Sequence, residues 1–187
     1  MGGLSVRHET LSLALRDPFR IARTAADEEA QRITTVIVEV RHQDYPDLVG
    51  LGEGYPDRFY GETPETMATV FELLLDRLER KPFEPAGHWL VWAHGLMGSA
   101  IRGHGAAKCA IDIALHDLVG RILGIPVHQL LDLSPEIPPT DFTIGIDEPA
   151  VVAERARRAG DYPALKIKCG GPADLEIAQH LDHGFGA

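Results

Sequence analysis

The chain has 187 residues, enough for one globular domain or for a small domain with part of a second. Its formal net charge of −10, with Lys and Arg gathered on no one segment, argues against nucleic-acid binding, which needs clustered cations, and against adsorption to anionic lipid. No stretch approaches the roughly 20 consecutive apolar residues of a membrane span, and Met1–Leu15 lacks the basic and apolar regions of a secretion signal, so the expectation is a soluble cytoplasmic protein.

Leu4–Leu15 and Ile33–Val40 are rich in β-branched and aliphatic residues with partial alternation. The polar stretch His42–Asp47 breaks the second run before Val49–Glu53, which predicts a three-stranded antiparallel start. Thr63-Pro64 opens a helix in which Met67, Val70, Phe71, Leu74 and Leu78 recur at spacings of three and four, and Lys81-Pro82 closes it. A second helix is predicted over about Gly105–Leu123. There Ala107, Ala110, Ile111, Ala114 and Leu118 share a face whose small side chains let another backbone approach closely, and Gly124 and Pro126 end it. Both faces are read as core, and Cys109 and Cys169, too few for a disulfide framework and without CxxC spacing, as two buried thiols in a reducing compartment.

Ser134-Pro135-Glu136-Ile137-Pro138-Pro139 cannot continue a helix and reads as a crossing between regions. Beyond it the rhythm changes: a strand over Asp141–Ile146, a helix over Glu148–Ala159, a strand over Ala164–Cys169, and a helix that opens at Pro172 and stops near Gln179. That order is a βαβ unit with parallel strands. The predicted organisation is an α+β region over residues 1–133, followed over 134–187 by one and a half to two β/α units.

Lys81, Lys108, Lys166 and Lys168 are the only lysines, and two of them share one predicted strand. Positions i and i+2 of a strand point to the same face, so Lys166 and Lys168 stand together while Leu165, Ile167 and Cys169 face the other way. If the apolar set packs against helices, the ammonium groups point to the interior of a sheet or barrel. There like charge and desolvation favour the neutral amine, a form suited to general-base work. Spacing alone favours the plainer alternative, a solvated edge strand guarded by lysines.

Several segments in order carry a resemblance. They are Pro18-Phe19-Arg20-Ile21-Ala22-Arg23-Thr24, Gly52-Glu53-Gly54, Tyr60-Gly61-Glu62-Thr63, Ala110–Leu118, Gly124-Ile125-Pro126-Val127, Asp141–Ile146 and Leu165-Lys166-Ile167-Lys168. Together they resemble the muconate lactonizing enzyme subgroup of the enolase superfamily, and within it the dipeptide epimerases. The resemblance implies an α+β N-terminal capping domain followed by the start of a (β/α) TIM-type barrel, with chemistry at the C-terminal strand ends. It implies an isomerase that removes the proton α to a carboxylate, with Mg²⁺ stabilising the enediolate.

By the same resemblance Lys168 is an acid/base on one face of the α-carbon, and Lys166 lowers its pKa and helps hold the substrate carboxylate. Thr143 contacts substrate, and Arg23 faces its distal carboxylate. The implied ligand is a small acidic dipeptide or related carboxylate, and proteins of this kind commonly assemble as homo-oligomers. The family's three acidic metal ligands and its second lysine have no counterpart in the sequence, so the metal set is expected to be absent and the chain inactive by itself. A truncated or frame-shifted gene is the leading expectation, with a second polypeptide completing the barrel as the alternative. A cycloisomerase or o-succinylbenzoate synthase of the same superfamily, and a non-enzymatic binding or assembly remnant, are the rival readings.

Overall fold

The computed structural model describes residues 3–22 and 32–185. The chain divides into two compact units: Met1–Ser12 with Thr34–Pro135, and Leu13–Ile33 with Glu136–Ala187.

In the first unit β1 (Leu4–Ala14), β2 (Arg32–His42) and β3 (Gly50–Gly54) form a sheet in that order, with β2 and β3 antiparallel. The register sets Val36 opposite Gly54, Val38 opposite Gly52 and Val40 opposite Gly50, so one face alternates a buried valine with a bare glycine. The glycines are there for approach. A Cβ at Gly50, Gly52 or Gly54 would drive into the carbonyl oxygens of Ala114, Ala110 and Ala106, successive turns of helix α3 (Gly105–Leu123). The small-residue face expected of this helix is therefore a seat for a strand backbone.

α1 (Pro64–Leu78) buries Met67, Val70, Phe71, Leu74 and Leu78, the five residues whose spacing predicts it. Its start is a capping box: the Thr66 amide donates to Thr63 Oγ1 at 3.3 Å, and the Thr63 amide donates to Thr66 Oγ1 at 2.9 Å. α2 (Gly87–Ala100) is an element the sequence reading passes over. It has no side-chain cap and carries Gly95 and Gly98 inside it, so neither start signal nor propensity announces it. Packing makes it: Trp89, Leu90, Ala93 and Met97 are buried, and the Trp89 indole donates to the Pro82 carbonyl at 2.9 Å. A single turn, α4 (Val127–Leu130), closes the unit and was likewise not foreseen.

Residues 131–140 are exposed throughout, as a crossing segment requires. In the second unit β4 (Asp141–Ile144) and β5 (Ala164–Ile167) pair in parallel, with α5 (Pro149–Arg158) between them in sequence. Ile144, Val152, Ala156 and Ile177 form its core, joined by the partly buried Leu165, Ile167 and Leu181. This two-stranded parallel sheet with its helices is the arrangement with which a (β/α) barrel begins. α6 (Asp174–Phe185) runs past Gln179, where the sequence predicts a stop, because nothing from His180 to Phe185 is a proline to break the ladder. The cysteine expectation is corrected as well. Cys109 and Cys169 are both exposed: Cys109 lies outside the Ala107, Ala110, Ala114 face of α3, and Cys169 follows the end of β5.

Candidate functional site

The parallel register places Thr143 directly opposite Lys166, and Phe142 and Ile144 opposite Leu165 and Ile167. Period-two alternation then divides the sheet. Ile144, Leu165 and Ile167 turn to the helices and join the core, leaving Thr143 and Lys166 on the other face. Lys166 is exposed and Lys168 half-buried. β5 ends at Ile167, but the ladder goes one residue further: the Lys168 amide donates to the Ile144 carbonyl at 3.0 Å. Lys168 is thus held at the C-terminal edge of the strand pair, two positions on from Lys166.

Above that edge lies the segment from Asp17 to Ala22. The Ile146 amide donates to the Arg20 carbonyl at 2.8 Å. A Cβ at Gly145 would stand 2.8 Å from the Arg20 nitrogen, and one at Gly170 would stand 2.6 Å from the Ala22 Cβ. Gly145 follows Thr143 by two residues and Gly170 follows Lys168 by two, so the segment rests on the continuation of both strands. Gly170 also has φ of +133°, a backbone that other residues rarely adopt.

Ion pairs secure the same segment. Asp17 accepts from Arg158 Nη2 at 2.8 Å and lies 3.8 Å from Arg155 Nε. Asp147 accepts from Arg155 Nη2 at 2.9 Å and pairs with Arg20 at 3.6 Å. The Arg158 hydrogen bond, with the arginine charges around it, holds the Asp17 carboxyl below the usual carboxylate range, against a smaller opposing effect of burial. Beside this network a cleft of about 580 Å³ is lined by Phe19, Phe142, Thr143, Arg155, Arg158 and Tyr162 among others.

In the first unit the segment from Tyr55 to Thr63 presents three aromatic side chains outward, Tyr55, Phe59 and Tyr60. It is tied down from beneath. Glu62 is buried, and its carboxylate accepts from the Ala106 amide at 3.0 Å and the Ala107 amide at 3.4 Å, at the otherwise uncapped start of α3. Thr63, within the same motif, is the cap of α1.

Among the sequence-predicted site residues, Thr143, Lys166 and Lys168 are brought to one strand pair, while Arg23 lies outside the described residues. Sequence reasoning missed Glu62 as a helix cap and missed Asp17, Asp147 and Arg155 altogether. Ion pairs distant in sequence leave no periodic trace, although Asp147 just ahead of the Glu148-Pro149 helix start is a local hint. Among the described residues no three His, Cys, Asp or Glu side chains gather as a metal site, so these residues by themselves do not fit a divalent cation. Nor, among them, is any helix long and apolar enough to cross a membrane.

Residues 4–132 match the N-terminal domain of the mandelate racemase / muconate lactonizing enzyme family. The chain is 35% identical over 171 residues to the L-Ala-D/L-Glu epimerase of Bacteroides thetaiotaomicron, a match covering 90% of this chain and 42% of that protein. It is 40% identical over 183 residues to a hydrophobic dipeptide epimerase of Roseobacter litoralis, covering 95% of this chain and 48% of the relative. The crystal structure of a dipeptide epimerase from Enterococcus faecalis V583, complexed with Mg and the dipeptide L-Leu-L-Tyr, superposes with a TM-score of 0.78 at 30% identity, covering 99% of this chain and 50% of that one. The chain thus spans about half the length of the proteins it matches.

Proposed function

This chain belongs to the mandelate racemase / muconate lactonizing enzyme family of the enolase superfamily, and from that premise we propose that it supplies the capping domain and opening barrel strands of a dipeptide epimerase. On this reading residues 1–133 act as the cap and 134–187 as the first β/α units, and the protein works in the cytoplasm on a small acidic dipeptide, with self-assembly part of its working form. The observation that carries the reading is the placement of Thr143, Lys166 and Lys168 at the C-terminal edge of a parallel strand pair. The dipeptide epimerase names of the relatives favour it over a cycloisomerase or an o-succinylbenzoate synthase.

The chemistry follows from the side chains. Lys166 and Thr143 hold the substrate carboxylate, one by charge and the other by its hydroxyl. The Lys168 amine takes or returns the proton on the near face of the α-carbon. Epimerisation needs an acid/base on each face, and the described residues offer one. They also offer no ligand set to the Mg²⁺ that the resemblance implies, so no step is routed through it.

The expectation is therefore binding without turnover. Titrating L-Ala-L-Glu into ¹⁵N-labelled protein should shift the amides of Thr143, Lys166 and Lys168, with no D-epimer in the dipeptide's proton spectrum after prolonged incubation. Lys166→Met should abolish those shifts. Shifts confined to other residues, or none at saturating dipeptide, would refute the reading.

A further inference from the structure

Arg155 stands apart from the other charges of α5. Arg157 is exposed and Arg158 half-exposed, whereas the Arg155 side chain is only 10% exposed. Burying a guanidinium is costly even when it is paired, and here Nη1 is buried without a hydrogen-bond partner. A well-packed apolar residue would serve the core at less cost. What the guanidinium does that no apolar residue can is bridge two carboxylates, Asp147 just beyond β4 and Asp17 at the root of the segment lying over the strand ends. Asp147 in turn pairs with Arg20 of that segment, and its Oδ1 accepts from the Glu148 amide at 3.0 Å, which fixes the carboxylate at the start of α5.

We propose that Arg155 is a positioning residue for substrate specificity: through Asp147 and Asp17 it sets the register of the Asp17–Ala22 segment on Gly145 and Gly170. The chain is thereby fixed one residue ahead of Arg23 in sequence. The inference rests on the reading of Thr143, Lys166 and Lys168 as the substrate face, because only then does placing this segment over the strand ends bear on which dipeptide is accepted. Three anchors act together. The Ile146 to Arg20 backbone bond ties the segment to β4, the absence of a Cβ at Gly145 and Gly170 admits it, and the network around Arg155 prevents it from sliding along the strand ends.

Two amides report on the proposal separately. The Ile146 amide bonds to the segment, whereas the Lys168 amide bonds to β4 itself. In Arg155→Met, hydrogen exchange should show Ile146 losing about tenfold or more of its protection while Lys168 keeps its own, since the segment is released and the strand pair stays. Asp147→Asn, which keeps the side chain's shape and its acceptor for Glu148, should release Ile146 in the same way and covers the case in which Arg155→Met does not fold. Arg157→Met, at an exposed position, should change neither amide. A role confined to general stability would lower Ile146 and Lys168 together, and that outcome would overturn the proposal, as would an unchanged Ile146. The exchange is measured without dipeptide, so its result stands apart from whether the lysine face binds one.

Discussion

Gly52 is a position with no freedom to grow, because an added methyl would meet the Ala110 carbonyl, which is part of a helix backbone and cannot step aside. Gly52→Ala should cost about 3 kcal/mol or more, as overpacking against main chain does, read from the urea midpoint at unchanged slope. Gly95→Ala supplies the contrast. It sits exposed inside α2 with nothing near its Cβ position, so the change should stabilise by roughly 0.5–1 kcal/mol through helix propensity alone. Asp17 carries a pH dependence whose sign is fixed. Its folded carboxyl lies below the ordinary value near 3.8, so its contribution is complete above that value and is lost as pH falls through the folded one. The wild-type chain should therefore be more stable than Asp17→Asn at neutral pH, with the difference closing on acidification from about pH 5 toward pH 3, followed by denaturant melts at each pH.

Elements differ in how openly the sequence declares them. α1 is legible because cap, N1 proline and apolar spacing agree, and α3 because a small-residue face ends in the left-handed Gly124. α2 is not, since its interior glycines and missing cap argue against the helix that burial of Trp89 and Met97 imposes. The i, i+2 spacing put Lys166 and Lys168 on one strand face, whereas reading that face as a substrate site rested on the family resemblance. The arginine and aspartate network beside it was not, because Asp17 and Arg158 are 141 residues apart and only the fold brings them together. Thr63→Ala should cost α1 about 1 kcal/mol, seen as a lower melting temperature, because the Thr66 amide loses its Oγ1 acceptor while the reciprocal bond from the residue 63 amide to Thr66 Oγ1 stays. Glu62 performs the matching service for α3 from outside the helix, so the Tyr55–Thr63 segment and the start of α3 are held by a common carboxylate.

Across the whole molecule the apolar interior falls into two clusters of unequal size. Among the described residues the first joins twenty buried side chains, from Leu4 to Val119, and the second joins four. Burial is the main favourable contribution to folding, so the smaller cluster marks the less stable unit. In native-state hydrogen exchange, the amides of Leu165 and Ile167 should therefore open at lower free energy than those of Val36 and Val38. Equal protection would show that the second unit draws support from beyond its own core. The glycine strand seated on α3 has a mechanical consequence too. Hydrostatic pressure unfolds proteins by eliminating internal void volume, and a seam without room for a methyl group has almost none to give up. Compressed to several kilobars, β3 and α3 should keep their spacing after the rest of the first unit has begun to take in water, a nearly incompressible spine whose stiffness comes from the side chains it lacks.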